Sequence, residues 1–299
     1  MTTESLSLST LSSELAALVE RASRFVVSLN GRRHRPGCAI VLGPELIVTA
    51  DHTLERDEDL TVEAGGARYS ASIAGRDPIT DIAVLRVPGL NIPEPPRAEA
   101  SAVGEFVVSL SRTGAGSISA GIGIVAAIGG PLRTGRGVAL PQVIRTDAAT
   151  RRFTSGGAIV DASGRVIGMT TTALLRGLPV AIPATQLWQI AEALKSGRGV
   201  RRGYLGVALQ PARVPERQRA GRGARALLVM GVAPEGAADR AGVLVGDLIV
   251  GLNDRTTEDA DDLQDALGTL EPGGSATLDV IRAGALQRIP VTVGERPNR

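Results

Sequence analysis

Cysteine, aromatic residues and lysine are nearly missing from this chain of 299 residues, and each shortage excludes something. The one cysteine, Cys38, rules out an intramolecular disulfide and any thiolate-based metal cluster. It stands in the apolar run Cys38-Ala39-Ile40-Val41-Leu42, where a buried core thiol is expected. Aromatics make up 2% of residues, so the core has to come from Val, Leu, Ile and Ala. Lys195 is the sole lysine; the arginine bias reads as genome composition and carries no function. No run approaches the ~18 apolar residues of a membrane span. Met1-Thr2-Thr3-Glu4 offers neither a basic n-region nor a long apolar stretch after it. The expectation is a soluble, cytoplasmic protein as written, with an exported form open if processing precedes this start. No Gly-x-x-x-x-Gly-Lys-Ser/Thr loop is present to bind a nucleotide, and no cofactor or metal is expected.

What is there points to a globular protein of one large or two medium domains, with 43% hydrophobic and 21% charged residues. The isoelectric point near 9.2 invites a nucleic-acid partner, but the net charge is only +2. The basic residues of Arg198 to Arg225 lie in a loop-like region without interleaved aromatics, so a solvated linker is preferred and no nucleic-acid partner is expected.

Leu11, Leu15, Leu18 and Ala22 fall at helical spacing, with Ser12 or Thr10 as cap. From Phe25 to about Pro183, some twelve short β-rich runs alternate with Gly, Pro and Asp turns, which predicts barrels, two in number. Thr185–Leu194 reads as a helix. After a Gly/Arg stretch, the last residues form a separate unit, with strands at Tyr204–Leu209, Ala226–Val232, Leu248–Leu252, Ala276–Arg282 and Gln287–Val293. Helices are expected there at Ala237–Ala241 and Asp259–Leu270.

Chemistry centres on Arg151-Arg152-Phe153-Thr154-Ser155-Gly156-Gly157-Ala158, where a serine precedes two glycines at a sharp turn before an apolar strand. Glycine tolerates the backbone angles that stand such a hydroxyl into a cleft. His34 sits in a basic turn and reads as a surface residue. His52 ends an apolar strand, and Asp81 is the last polar position before the strand Ile82-Ala83-Val84-Leu85. A carboxylate buried there needs a donor, and an imidazole N–H supplies one while fixing the tautomer of a base. Asp77, in Arg76-Asp77-Pro78, is the competing carboxylate but looks like a turn residue.

The order His52, Asp81, Ser155 on an all-β background is one of the known triad orders. Thr49-Ala50-Asp51-His52, Thr80-Asp81-Ile82-Ala83-Val84-Leu85 and Thr146-Asp147-Ala148 with Ser155-Gly156-Gly157 together resemble the HtrA (Deg) family of chymotrypsin-fold serine proteases. Ser119 to Val125 and Val180-Ala181-Ile182-Pro183 fit that framework. Arg202-Gly203-Tyr204-Leu205-Gly206-Val207, Ala241-Gly242-Val243 and Gly246-Asp247-Leu248-Ile249 look like its C-terminal PDZ domain. The resemblance implies a mainly β chain: an N-terminal helical segment (1–24), a chymotrypsin-like double β-barrel protease domain (25–196), a linker (197–203) and an α+β PDZ domain (204–299).

By that resemblance Ser155 is the nucleophile, His52 the general base and acid, and Asp81 its orienting carboxylate. The oxyanion hole falls to the backbone N–H groups of Ser155 and Phe153. The family has glycine at the latter position and asparagine where Thr154 stands. Loss of one such donor typically costs about 10²–10³ in rate. The primary pocket is expected along Met169-Thr170-Thr171-Thr172 and Leu174-Leu175, favouring small or medium apolar side chains. In the PDZ-like unit, Tyr204, Leu205, Gly206 and Val207 would receive a peptide C-terminus. Leu263 and Leu267 read equally as pocket wall or as core. The resemblance thus implies an ATP-independent serine endopeptidase acting on unfolded or damaged proteins, regulated by C-terminal peptides and assembled as a homotrimer. The competing reading is a catalytically impaired, peptide-binding or chaperone-like protein, because of Phe153.

Overall fold

The computed structural model describes residues 7–32, 36–113, 117–134, 137–148, 155–175, 178–196, 203–219 and 223–295. His34, Arg151, Arg152, Phe153, Thr154 and linker residues 197–202 lie outside them. The chain divides into two compact units, one built essentially before residue 200 and one after it.

Helix α1 (Leu8–Ser23) starts earlier than expected and is capped by Ser7, whose hydroxyl accepts from Thr10 N–H at 3.1 Å. Neither Thr10 nor Ser12 is the cap. Leu8 is 86% exposed, so the first turn carries no buried apolar residue to mark the true start. Leu18 and Ala22 are buried against the strands that follow.

Six strands then close the first barrel: β1 (Val26–Asn30), β2 (Gly37–Gly43), β3 (Leu46–Thr49), β4 (Leu60–Ala64), β5 (Ala67–Asp77) and β6 (Ile82–Arg86). Their order around the barrel is β1-β2-β3-β6-β5-β4, all antiparallel, with β1 pairing β4 to close it. β6 is buried on both faces over Ile82–Leu85, which is why it reads as a continuous apolar run. β7 (Phe106–Thr113) and β8 (Ser117–Gly129) open the second barrel. A small hairpin, β9 (Leu132–Thr134) and β10 (Gly137–Leu140), follows and was not expected. β11 (Val143–Thr146), β12 (Ala158–Asp161), β13 (Val166–Leu175) and β14 (Leu178–Pro183) complete it in the order β11-β14-β13-β12-β7-β8. Helix α2 (Ala184–Lys195) buries Leu187, Ala191 and Leu194.

The two barrels share one apolar core. Val108, Leu110, Val160 and Met169 of the second pack with Ile40, Val48 and Leu85 of the first. A separate cluster of Val107, Val125, Ile144, Ile159 and Ile167 fills the second barrel. Phe25 is buried in the shared core and Tyr69 and Trp188 pack against it, while Val, Leu, Ile and Ala supply most of the remainder, as the composition requires.

In the second unit, Gly203 already pairs with Glu295, so strand β15 (Gly203–Tyr204) begins one residue inside the expected linker. The run expected as one strand breaks at Leu205-Gly206, where Gly206 takes φ +79°. β16 (Val207–Arg213) then extends into the stretch that read as loop. A sheet of β16, β17 (Arg225–Val232), β18 (Leu248–Leu252), β20 (Ser275–Arg282) and β21 (Ala285–Thr292) follows, with β19 (Arg255–Thr256) on β18 and β22 (Gly294–Glu295) on β15. Helix α3 (Ala237–Arg240) is short. Helix α4 (Ala260–Gly268) is capped by Asp259 in a reciprocal capping box with Asp262.

Arg282 binds both oxygens of buried Asp247, at 2.8 and 2.7 Å, and the carbonyl of Gly242 at 2.7 Å. Burial disfavours the Asp247 carboxylate, but the Arg282 bond, the Leu244 N–H and the Arg282 charge outweigh it and lower its pKa. A lowered carboxyl stabilises the fold above its ordinary value near 3.8, and this contribution is lost as pH falls through the depressed pKa. Arg282→Ala is therefore expected to destabilise the second unit by about 2 kcal/mol, less than a fully buried pair because the guanidinium is partly solvated. Urea denaturation checks this: Asp247→Asn should flatten the loss of stability as pH falls below the ordinary carboxyl value of 3.8.

Candidate active site

His52 is carried by a single 3-10 turn, Asp51–Thr53, that follows β3. Two hydroxyl bonds hold the turn and the strand that leads into it: Thr53 Oγ1 donates to Ala50 O at 2.7 Å, and Thr49 Oγ1 to Cys38 O on β2 at 2.7 Å. Asp81 ends the β5–β6 connection at φ +57°, in the left-handed region where Asp is better tolerated than most residues. Asp77, the competing carboxylate, caps that same connection by accepting from Thr80 Oγ1 at 2.5 Å and Ile79 N–H at 3.3 Å. It is spent on the turn.

The structure brings His52 and Asp81 together. Nδ1 of His52 lies 2.9 Å from Asp81 Oδ1 and 2.8 Å from Oδ2, and the His52 backbone N–H donates to Oδ1 at 2.8 Å. Asp51 N–H adds a bond to the Asp81 carbonyl at 3.1 Å. A carboxylate only accepts, so the proton sits on Nδ1 and Nε2 is left as the basic nitrogen. The His52 side chain is 31% exposed and that of Asp81 4%, which leaves the imidazole accessible and the carboxylate shielded.

A third donor reaches the same carboxylate from the other barrel: Thr171 Oγ1, on β13, hydrogen-bonds Asp81 Oδ2. This role was not expected. Thr171 was read only as a pocket residue, since threonine is ordinary in a strand. Of the expected pocket residues, Met169, Thr170, Thr171 and Leu174 are buried, while Thr172 and Leu175 are half-buried.

Ser155 is held at the start of a turn tied to β13: Gly156 N–H donates to Thr170 O at 2.8 Å, and Thr170 N–H to Gly157 O at 2.9 Å. Gly156 takes φ +86°, and a Cβ there would lie 2.0 Å from Cys38 O and 2.7 Å from Thr49 Oγ1. Only glycine fits. Ser155 is buried, and its Oγ lies 3.2 Å from Thr172 Oγ1. Among the described residues no hydrogen bond joins it to His52. Cys38 lies under this turn, fully buried, and burial pushes its thiol up to about 11.

In the second unit, β16 is an edge strand, and α4 packs beside it. Tyr204 pairs with Gly294, Leu205 is buried with its carbonyl bonded to Ala238 N–H, and the Gly206 carbonyl accepts from Ala233 N–H. These bonds fix the loop that leads into Val207. Leu263 and Leu267 are buried in the core of this unit, with Val207 and Leu209 packed on the same cluster.

Comparison with known proteins follows these two units. A trypsin-like peptidase domain matches residues 37–169, and a PDZ domain matches residues 203–293. A probable periplasmic serine endoprotease, DegP-like, of Ectopseudomonas mendocina is 32% identical over 86% of this chain and 56% of its own length. The serine endoprotease DegS of Haemophilus influenzae is 26% identical, over 87% of this chain and 77% of its own. The chain thus spans little more than half the length of the DegP-like relatives. These relatives are named as periplasmic proteins. Among solved structures, the HtrA-type protease AlgW with a decapeptide aligns with a TM-score of 0.75 at 25% identity, over 95% of this chain and 99% of its own. The serine endoprotease from Yersinia pestis also gives 0.75 at 25% identity, over 94% and 98%.

Gly156→Ala is expected to displace the Ser155 turn from Cys38 O. Labelling of Ser155 by a fluorophosphonate probe should fall about 100-fold or more while far-UV circular dichroism stays unchanged.

Proposed function

Because this chain belongs to the HtrA family of serine proteases, we propose that it is an ATP-independent serine endopeptidase acting on unfolded or damaged proteins. The observation that carries the reading is the His52–Asp81 pair, with Nδ1 between both carboxylate oxygens and Nε2 left open. In the proposed mechanism Ser155 Oγ attacks the scissile carbonyl as His52 Nε2 takes its proton. Asp81 stabilises the imidazolium that forms. His52 then returns the proton to the leaving amine, and water attacks the acyl-serine by the same route reversed. Backbone N–H groups at Ser155 and Phe153 would receive the negative charge. Phe153 lies outside the described residues.

The PDZ unit is proposed to take C-terminal peptides as an added strand along β16, with the carboxylate at Tyr204-Leu205-Gly206-Val207 and Leu263 and Leu267 forming the apolar floor. The peptide in the AlgW structure supports a peptide ligand for this fold. A homotrimer built through the protease unit completes the proposal.

A second reading, an impaired protease that binds peptides, draws on one observation: Ser155 Oγ bonds Thr172 Oγ1 instead of His52. Fluorophosphonate labelling separates the two. On the protease reading, the protein labels at Ser155 and Ser155→Ala does not. Labelling that needs an added C-terminal peptide supports gating by the PDZ unit. No labelling in either state, with the fold intact, favours the binding protein. Phe153→Gly is expected to raise the labelling rate by about 10²–10³ on the impaired-protease reading, where the Phe153 N–H is turned out of the hole, and to leave it unchanged on the protease reading, where that N–H already serves as a donor.

A further inference from the structure

The turn that carries His52 is gripped from two sides, and only one of them is Asp81. On the other side stands Arg76, near the end of β5 and five residues before Asp81 in the same hairpin. Its Nε donates to Asp51 Oδ1 at 2.5 Å and its Nη1 to Asp57 Oδ1 at 2.5 Å. Nη2 reaches the main chain of the turn itself, Asp51 O at 3.4 Å and Leu54 O at 3.3 Å. These carbonyls lie at the start and just past the end of the His52 turn. Asp51 is buried, so its carboxylate depends on this cation; left unpaired it would carry a large desolvation penalty. The guanidinium fork suits the task, because one planar group faces four acceptors that a lysine could not cover together. The hydrogen bond with Asp51 also holds the Arg76 pKa above its ordinary value, so the cation persists at any working pH.

A 3-10 turn of three residues has little rigidity of its own. The Asp81 carboxylate holds its His52 N–H and ring, and Arg76 holds the Asp51 carboxylate and the turn carbonyls, both from the β5–β6 hairpin. We propose that Arg76 is a positioning residue for the general base, fixing the His52 ring against Asp81 through Asp51 and the turn carbonyls. Arg76 touches no reacting atom. The proposal deepens the serine-protease reading and rests on it for its kinetic consequence, though not for its structural one.

The test uses the full chain with Arg76→Gln, which removes the cation and the fork, and Arg76→Lys, which keeps the charge for Asp51 and Asp57 but gives up the bonds to the carbonyls. Two readouts are taken. Long-range proton–nitrogen correlation of the His52 ring reports its tautomer without requiring catalysis; His34 is the only other histidine, and His34→Gln makes the assignment. The second readout is kcat and KM on an unfolded protein substrate. Wild type is expected to hold the Nδ1–H tautomer. Arg76→Gln should show mixed tautomers and a kcat lower by about 10- to 100-fold with KM within about twofold. Arg76→Lys should fall between the two. A purely structural arginine would lower the amount of folded protein and leave tautomer and kcat per folded molecule unchanged, and that result overturns the proposal. So does a wild-type ring that is not in the Nδ1–H form. If Arg76→Gln does not fold, Arg76→Lys with a wild-type tautomer and kcat overturns it equally. If wild type proves inactive, the protease reading fails, and the tautomer comparison still decides the role of Arg76.

Discussion

One buried carboxylate binds the protease unit together. Asp81 accepts from the His52 ring and backbone on one side and from Thr171 on the other. The first two donors belong to the first barrel and the third to the second. Losing any one of these donors would cost the buried carboxylate a charge-assisted hydrogen bond, worth about 1.5–3 kcal/mol. Docking of the two barrels and orientation of the imidazole are therefore a single condition. Close approach at Gly156 enforces the same register from below, where the Ser155 turn sits on Cys38 O with no room for a side chain.

Much of this was legible in the sequence because it is local. The strands announce themselves through alternation or, for β6, through unbroken apolar character, and each triad candidate stands where a polar residue borders such a strand. The PDZ unit was legible in the same way. What escaped has a physical reason in each case. The β9–β10 hairpin is too short for a period to register. The start of α1 is set by Ser7 through a side-chain cap, in a first turn that buries nothing. The break at Leu205-Gly206 depends on one glycine angle inside an otherwise strand-like run.

The harder omissions concern partners distant in sequence. Thr171 lies ninety positions from Asp81 and is indistinguishable, as a strand threonine, from Thr170 beside it. Arg76 read as part of a turn, and Asp51 as a neighbour of the histidine; only the closed barrel brings them together, along with Asp57. Sequence spacing names the groups that do chemistry more readily than the groups that hold them in place. The second unit repeats the pattern, since Asp247 and Arg282 stand 35 positions apart and leave no local trace.

Cys38 acquires a practical meaning from its place under the serine turn. A fully buried thiol held near pKa 11 is a thiol with almost no thiolate at neutral pH and no path to a reagent. A maleimide dye added to the native protein therefore has nothing to react with. A cysteine introduced on the exposed side of β16 would take up that dye alone, with no need to remove the natural one. The molecule is already prepared for single-site fluorescence, with a reporter at the β16 edge and the first unit left unaltered.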